Sequence, residues 1–403
     1  MATVLHGEMR HGLQAGEAGT AASARDRIGA EILPGLEPAE ALWRSLDASG
    51  DSLATPYQRF DWCSAYLEAM DETPMARVAV LRDGTGRVRL LLPLVLRLEY
   101  GLVVAHSVGD DHANYHPPLF AARDAAALTP EEVRSALASA GKAAGIDVFH
   151  LRHQPEAWEG VPNPFAVGGE PERSAAYGLT LDADPEATTK RLFSGDARKK
   201  LRSKEKRLVE ALGPVELRRA ESDEEARAVL AAFYAQKAAR FAGMGIDDPY
   251  APEAVKLFLE RSASGAHPAM ELHALCVAET GRILAVFGGA VNATRYSGMF
   301  TSFDADPEVG RFSPGDLLLF HLLREQSARG RVGFDLGIGE ARYKASICDQ
   351  TLPLVEALVP VSGRGHVFAL SRVMLRRLKR RIKADPRLFA MVNRVRALVR
   401  RPA

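Results

Sequence analysis

Apolar and polar positions along the chain form two runs of predicted elements that follow the same order. The first run contains a helix, a two-stranded hairpin, a third strand, a helix and a last strand, predicted in turn at 56–70, 76–98, 101–108, 129–145 and 147–152. The second run contains two helices and then the same series, predicted at 223–242, 252–263, 271–292, 295–304, 313–330 and 332–337. The hydrophobic pattern therefore predicts two similar units.

Short similar segments occur at matching places in the two runs. They lie in the hairpin, at a helix start and at the last strand: TGRV (85–88) with TGRI (280–283), TP (129–130) with SP (313–314), and GIDVFHL (145–151) with GRVGFDL (330–336). These matches predict a duplicated β-β-β-loop-α-β unit. The expected fold class is α+β, in which each unit is a mixed, mostly antiparallel sheet flanked by helices. No GxGxxG segment follows a predicted strand, which argues against a dinucleotide-binding fold.

This pattern divides the chain into four regions. We expect a disordered leader at 1–35, an N-terminal unit at 36–175, a C-terminal unit at 176–363, and a basic amphipathic helical tail at 364–403. The 403 residues contain no run of 18 apolar residues, and the N-terminus has no apolar core of the kind that a signal peptide needs. Three isolated cysteines with no CxxC pair indicate a reduced, cytoplasmic protein without a structural zinc site.

Two stretches of the second unit carry a resemblance to a known family. The segments SPGDLLLFHLLREQSARGRVGFDLGIGEARYK (313–344) and FSGDARKKLRSKEKRL (193–208) resemble the CelD-like GNAT acetyltransferases of cellulose and exopolysaccharide biosynthesis. That group is related in architecture to the Fem-type aminoacyltransferases, which also contain two GNAT units. The resemblance covers residues 50–362. It implies an acyltransferase with acetyl-CoA as co-substrate and no metal, acting on an amine or sugar acceptor linked to envelope polysaccharide.

The resemblance implies a coenzyme site at the start of the helix predicted at 313–330. GNAT enzymes bind the pyrophosphate of CoA at free backbone N–H groups of a helix N-terminus, and GRFSPGD (310–316) occupies that place. Ser313 can cap the helix, Pro314 suits its first turn, Gly315 leaves room for a phosphate, and Arg311 adds charge. The full GNAT signature is reduced here to Arg311 and Gly315. The alternative is a capping box in which Ser313 and Asp316 only start a core helix.

The strand end FDLGIGEARYK (334–344) is the candidate catalytic segment. Asp335 and Glu340 are candidate general bases, Tyr343 could protonate the departing thiolate, and Lys344 could hold an anionic substrate. The first unit has His150 where the second has Asp335, so we expect the chemistry in the second unit. The alternative is that Asp335 caps a turn and Lys344 is a solvated charge.

Two further segments are candidate substrate-binding elements. Arg198, Arg202 and Lys206 lie at helical spacing on one face, where they could clamp a phosphate or carboxylate; the alternative is a solvated basic helix. The loop GDDHANYHPPLF (109–120) offers Asp111, Asn114 and Tyr115 to an acceptor, and the alternative is ordinary loop polarity. Its two histidines lack the HExxH spacing of a zinc site, so no metal is expected.

The tail differs from the rest of the chain in charge. Residues 364–403 contain 13 Lys and Arg and a single acid, Asp385, which leaves 39 basic and 50 acidic residues in 1–363. Basic amphipathic helices bind anionic membrane surfaces, which would bring the enzyme to the inner membrane face beside a membrane-bound synthase. The alternative is a tail packed on the acidic body. Nucleic acid is disfavoured because interleaved aromatic residues are scarce.

Two functional alternatives stay open at the level of the sequence. One is a Fem-type transferase that uses aminoacyl-tRNA, for which we expect a wide cleft and no coenzyme tunnel at Ser313–Gly315. The other is a catalytically silent scaffold of the polysaccharide machinery, which the reduced phosphate-binding signature favours.

Overall fold

A computed structural model describes residues 27–385 of the chain. Its strands are β1 Gly29–Pro34, β2 Ala76–Arg82, β3 Val88–Glu99, β4 Leu102–Ser107, β5 Leu119–Phe120, β6 Val148–Pro155, β7 Ala157–Trp158, β8 Val161–Pro162, β9 Glu170–Pro171, β10 Ala176–Thr180, β11 Val215–Arg219, β12 Met270–Val277, β13 Ile283–Val291, β14 Arg295–Phe303, β15 Gly333–Ile338, β16 Gln350–Leu352 and β17 Leu354–Pro360. Its α-helices are α1 Glu40–Ala48, α2 Phe60–Ala69, α3 Pro130–Ala143, α4 Pro185–Leu192, α5 Gly195–Leu212, α6 Asp223–Met244, α7 Glu253–Ala263, α8 Pro307–Gly310, α9 Pro314–Ala328, α10 Arg342–Ile347 and α11 Gly363–Ala384.

Two mixed sheets contain nearly all of these strands. The first has the order β1-β2-β3-β4-β6-β17-β9, with β5 paired to β3, and the second has the order β11-β12-β13-β14-β15-β10-β16. In each sheet a helix connects two parallel neighbours, α3 between β4 and β6 and α9 between β14 and β15. The other pairings are antiparallel. The repeat of elements predicted from the sequence is therefore confirmed.

The parallel ladders show which residues of the two units correspond. The ladder between β4 and β6 ends with His106 opposite His150, and the ladder between β14 and β15 ends with Ser297 opposite Asp335. His150 and Asp335 thus occupy equivalent positions, as the sequence alignment of the two halves predicts. Any difference in chemistry between the units must arise from what surrounds these two positions.

The two sheets exchange the strands next to one edge. β10 follows the first unit in the chain but pairs with β15 of the second sheet, whereas β17 follows the second unit and pairs with β6 of the first. Two predicted boundaries need correction as a result. Residues 354–360 belong to the first sheet rather than to a unit at 176–363, and residues 29–34 of the predicted leader form the edge strand β1 against β2. Residues 1–26 lie outside the described residues.

Apolar side chains from both units form one continuous core at their junction. The helices α2 and α7 pack together there, with the rings of Trp62 and Phe258 5.3 Å apart and nearly perpendicular. Both side chains are fully buried. Burial of side chains of this size stabilises the folded state by roughly 2–3 kcal/mol each. The junction therefore holds the units in one arrangement, and residues of the first unit can contribute to a site in the second.

Candidate active site

A cleft opens in the second sheet where β14 and β15 separate. Their parallel pairing ends at Ser297 and Asp335, after which β15 continues beside β10 only. On its other edge β14 pairs Phe300 with Gly288 and Gly298 with Gly289, so Met299 bulges out of the ladder. A bulge at this point turns the strand away from its neighbour. Groups presented between the two strands could therefore contact a bound substrate.

The helix α9 begins beside the far end of β14 with an open N-terminus. Ser313 has the left-handed conformation, with φ 54° and ψ 59°, and its side chain makes no capping hydrogen bond. The prediction that Ser313 caps the helix is therefore wrong, while Pro314 occupies the first helical position as predicted. The first N–H groups of a helix have no intrahelical acceptor, and a left-handed residue before them turns the backbone into an anion-binding concavity.

The equivalent helix of the first unit is closed instead. Thr129 precedes α3 in an extended conformation, and its hydroxyl oxygen accepts a hydrogen bond from the backbone N–H of Glu132 at 3.4 Å. Both helices start with a hydroxyl residue followed by proline, but only α3 uses the hydroxyl as a cap. The second unit therefore presents an N-terminus available to an anion, and the first does not.

Basic side chains surround the start of α9. Lys204 of α5 donates a hydrogen bond from Nζ to Ser313 Oγ at 2.7 Å, which orients the hydroxyl away from the helix. A cavity of about 420 Å³ beside it is lined by Arg207, Glu210, Ala211, Arg311 and Phe312, and Asp316 Oδ2 lies 3.8 Å from Lys204 Nζ. Arg311 forms an exposed ion pair with Glu308 at 2.8 Å. The charges and the helix N-terminus together suit a phosphate group.

Gly315 leaves space at this N-terminus, as the sequence predicts. A Cβ atom built at Gly315 would meet one neighbour, the ring of Phe303, at an ordinary contact distance of 3.8 Å. The ring of Phe303 is itself partly exposed and lies 5.4 Å from the guanidinium of Arg240. The side chains at the end of β14 and in the first turn of α9 therefore form a shallow surface that a ligand could cover.

The arginines predicted to bind substrate lie elsewhere on α5. Arg198 is partly buried and lies 3.9 Å from Glu186 of α4, and Arg202 is exposed to solvent. Lys206 pairs with Glu210 along the helix at 3.8 Å. Lys204 contacts Ser313 at the start of α9 and Glu205 contacts His321 within α9, while Arg207 lines the cavity beside Arg311 and Phe312. The face predicted from the spacing is the solvated one.

Asp335 is a buried ion-pair partner and not an exposed acid at a strand end. Its carboxylate accepts hydrogen bonds from Arg295 Nη1 and from Ser297 Oγ, both at 2.6 Å, and the residue is fully buried. The guanidinium of Arg295 also stacks over the ring of Trp158 from the first unit at 4.8 Å. Both oxygens of Asp335 are thus occupied, and the prediction of a general base in contact with an acceptor is not supported by this geometry.

The other residues of the predicted catalytic segment are dispersed. Lys344 is buried and donates hydrogen bonds from Nζ to the carbonyl oxygens of Gly337 and Ile338, at 3.2 and 3.0 Å. Burial lowers its pKa. This residue closes the turn after β15, contrary to the prediction that it holds a substrate. Glu340 is exposed, and the side chain of Tyr343 lies outside the described part of the chain.

The first unit places two polar side chains at the separation of β14 and β15. Asn114 Nδ2 donates hydrogen bonds to the hydroxyl of Tyr57 at 2.6 Å and to the carbonyl oxygen of Gly298 at 3.0 Å. On the opposite strand, a Cβ atom at Gly337 would lie 2.6 Å from Asn114 Oδ1, so glycine is required there. The structure therefore brings the predicted Asn114 to the cleft between the strands.

Two other residues of the same loop differ in burial. Tyr115 is fully buried and packs on Trp158 and Tyr57. Burial, and after it the nearby charge of Asp335, raises the pKa of Tyr115 well above the usual range. Asp111 is exposed and pairs with Arg152 at 2.8 Å. Of the three predicted loop residues, Asn114 reaches the cleft, Tyr115 supports it and Asp111 lies on the surface.

Sequence reasoning missed Tyr57, Arg295 and Lys204. Tyr57 lies in a short turn before α2, and Arg295 is the first residue of β14, so neither belongs to a pattern with a chemical meaning. Lys204 could have been found by testing every face of the basic helix α5 against the start of α9. Among residues 27–385, no group of three or more His, Cys, Asp and Glu side chains is arranged to hold a metal.

A larger cavity of about 1140 Å³ lies between the two units at the opposite ends of the same strands. Its lining includes Arg59 of the first unit and Glu271, Asn292, Thr294 and Arg331 of the second. Glu271 accepts hydrogen bonds from Arg331, and although burial acts in the other direction, Arg331 and Arg329 lower its pKa to about 2. Ion-paired side chains therefore form part of the cavity wall. The cavity lies near the start of β14, whereas the start of α9 lies near its end.

Comparison with known proteins agrees with this geometry. Residues 195–345 match the family model of the acetyltransferase (GNAT) domain. FemX is 12% identical, with a TM-score of 0.53 over 79% of this chain and 94% of its own. A conserved protein of unknown function from Bacteroides thetaiotaomicron is also 12% identical, with a TM-score of 0.52 over 79% of this chain and 96% of its own. No match was found among curated proteins.

These comparisons support the fold and the class of enzyme. At 12% identity the two solved structures show a shared fold alone, and that fold extends over both units. The predicted fold class, two mixed sheets of the GNAT type flanked by helices, is confirmed. The domain match covers α5 to α10 and includes the open N-terminus of α9. Residues 195–345 match a GNAT acetyltransferase domain, and the predicted activity class, an acyltransferase, is confirmed.

Proposed function

We propose that this protein transfers an acetyl group from acetyl-CoA to an amine or hydroxyl of a sugar acceptor linked to cellulose or another envelope polysaccharide. The open N-terminus of α9 carries the proposal. It lies in the matched acetyltransferase domain, beside the end of β14 at Phe303, and the equivalent helix of the first unit is capped. The acceptor class rests on the resemblance of residues 193–208 and 313–344 to the CelD-like group.

The residues at this N-terminus suit the phosphates of CoA. The N–H group of Gly315 in the first turn of α9 would bind the pyrophosphate, and Lys204, Arg207 and Arg311 would balance its charge. The thioester of acetyl-CoA supplies an acyl group that is activated for attack by a nucleophile. Most of the protein's contribution would then be binding and orientation of the two substrates.

Asn114 is the polar group best placed to orient the reacting carbonyl or the acceptor, and the buried Tyr57 positions it. Burial raises the pKa of Tyr57 far above its usual range, so its hydroxyl keeps its proton and remains a hydrogen-bond donor. The amide of Asn114 is held by Tyr57 and by Gly298 in the cleft itself. The proposal therefore gives the first unit a direct part in the site, through Asn114 of its loop and Tyr57 of the turn before α2.

Transfer from aminoacyl-tRNA is the second candidate function, and one observation favours it. The outer face of α5 exposes Lys199, Lys200, Arg202 and Lys206 to solvent, next to the start of α9. A row of exposed cations attracts a polyanion such as tRNA by counterion release. Of these, only Lys206 has a carboxylate within ion-pair distance in the described part of the chain, so the surface is available.

Hydrogen–deuterium exchange with and without acetyl-CoA tests the location of the coenzyme. We expect slower exchange of the Gly315 amide when acetyl-CoA is present, because a phosphate oxygen would accept its hydrogen bond, whereas the N–H groups of Ser313, Asp316 and Leu317 already donate to backbone carbonyl oxygens. The amides at 130–134, at the capped start of α3, serve as the internal control and should not change. Protection at 130–134 in place of Gly315 would move the site to the first unit, and no protection anywhere would favour the scaffold alternative.

A further inference from the structure

The helix α11 has two faces of different character. One face lies on the first unit, where Phe368 packs against Leu102, Val104 and Val148. The same face carries Arg376, which forms an ion pair with the buried carboxylate of Glu356. Contacts of this kind hold the helix to the body of the protein. The described part of the predicted tail is therefore a docked helix, as the packed-tail alternative states.

The opposite face of α11 exposes a continuous apolar stripe. Five apolar side chains form this stripe, and each is between 52% and 70% exposed: Val367, Leu370, Met374, Leu375 and Leu378. Most are three or four residues apart. Residues at these spacings share one side of a helix. Five large apolar side chains aligned on one exposed face exceed the scattered apolar residues that a protein surface normally carries. The packed-tail alternative accounts for the docked face and leaves this stripe unexplained.

The charges on α11 are all of one sign. Residues 363–384 contain eight Lys and Arg and no acid. Five of these cations pair with acids of the first unit: Arg364 with Asp147, Arg372 and Arg376 with Glu356, and Arg377 and Arg380 with Glu170. Arg377 and Lys379 lie on the two borders of the apolar stripe, where Arg377 is held by Glu170 and Lys379 is exposed. An apolar stripe with a cation on each border is the pattern of a helix that lies in the interface of an anionic bilayer.

The tip of a hairpin extends the apolar surface near the start of α11. Leu98 and Tyr100, at the turn between β3 and β4, are 77% and 90% exposed. The first turn of α11 is attached to this hairpin through Asp147, which accepts hydrogen bonds from Val103 N and from the hydroxyl of Ser362. Leucine and tyrosine are both suited to the boundary between lipid and water.

We propose that the exposed face of α11, together with the hairpin tip at Leu98 and Tyr100, binds the surface of an anionic phospholipid bilayer. The apolar stripe enters the acyl boundary while Lys379 and Arg381 contact lipid phosphates. Pairing of two α11 helices from separate copies would bring the exposed Lys379 and Arg381 of each against those of the other with no acid on either helix, and an anionic lipid surface supplies the missing charge. In sequence, residues 386–403 continue with five arginines, no acid and many apolar residues.

The structure limits the mode of binding to the surface. Within residues 27–385, no helix is long and apolar enough to cross a membrane. A helix that is docked through one face can offer the other to a bilayer without leaving the protein. The acetyltransferase domain would then act next to the membrane, and this inference holds whether the acyl donor is acetyl-CoA or another carrier.

Vesicle flotation with the full chain tests the proposal. We expect the wild-type protein to float with vesicles of phosphatidylcholine and phosphatidylglycerol, to float poorly with phosphatidylcholine alone, and to be released by salt. The double change Met374→Glu with Leu378→Glu should lower the bound fraction about tenfold, because it places two acids in the apolar stripe. A Lys379→Gln variant should weaken binding less and reduce the dependence on salt.

The matched control is Met244→Glu with Ile246→Glu. These two residues are exposed to a similar degree at the end of α6, remote in sequence from α11, and the changes should leave flotation as in the wild type. Circular dichroism confirms that each variant is folded. The proposal is overturned if the wild-type protein does not bind anionic vesicles. It is also overturned if the stripe variant binds them normally, or if light scattering shows a dimer that only the stripe variant dissociates.

Discussion

Replacing Asp335 by alanine is expected to lower the free energy of unfolding by about 3–5 kcal/mol, because it leaves a buried arginine without its counter-charge. The side chain of Arg295 is almost fully buried and directs a hydrogen bond of 2.6 Å to the carboxylate. Ser297 loses its acceptor in the same variant. The predicted effect on stability is the largest for any single change in the candidate site, and urea unfolding followed by circular dichroism measures it.

A second variant separates the ion pair from a catalytic role. Changing Asp335→Leu and Arg295→Met together removes both charges, and we expect it to regain most of the lost stability. Glu340→Ala is an exposed-acid control that should unfold at the wild-type urea concentration. If Asp335→Ala unfolds like the wild type but loses acetyl transfer, the carboxylate takes part in the reaction and the structural assignment made here is wrong.

Replacing Gly315 by glutamate is expected to weaken acetyl-CoA binding about 100-fold. A carboxylate about 5 Å from a phosphate charge is repelled by about 3 kcal/mol at an effective dielectric constant near 20, and about 1.4 kcal/mol corresponds to a factor of ten in affinity. The position tolerates a side chain, since its Cβ would only touch Phe303. Isothermal titration calorimetry with acetyl-CoA measures the change.

Gly315→Gln is the matched control because glutamine has the same shape without the charge. We expect it to bind acetyl-CoA several times more weakly than wild type and clearly better than the glutamate variant. The glutamate should not destabilise the protein, since an acid in the first turn of a helix interacts favourably with the helix dipole. Equal affinities of the two variants would show that no phosphate lies at the start of α9.

The order of elements could be read from the sequence because each unit repeats the same hydrophobic periods. Helical and strand spacing depends on local side-chain pattern, so the hairpins and the helices before β15 were found nearly in place. The equivalence of His150 and Asp335 also followed, because the similar segments 145–151 and 330–336 fix the alignment of the halves. The hydrophobic pattern thus predicted the fold. The repeat also indicated which unit would match an acetyltransferase domain.

The surroundings of individual residues could not be read in the same way. Asp335 at a strand end suggests an exposed acid, but Arg295, 40 residues earlier in the chain, and Trp158 of the other unit enclose it. The exchange of β10 and β17 between sheets is equally invisible to local pattern. Ser313 precedes a proline as a helix cap often does, but its hydroxyl oxygen accepts a hydrogen bond from Lys204 of α5 and does not cap the helix. Such contacts depend on tertiary packing.

The central claim is that acyl-CoA is the acyl donor of this protein. Titration of the wild-type chain with candidate donors tests this claim directly. Calorimetry with acetyl-CoA, and in parallel with an aminoacyl-tRNA, compares the two candidate donors on the same protein. We predict saturable binding of one acetyl-CoA per chain and no competition by the tRNA. No heat with acetyl-CoA together with saturable binding of the tRNA would contradict the account and favour the Fem-type function.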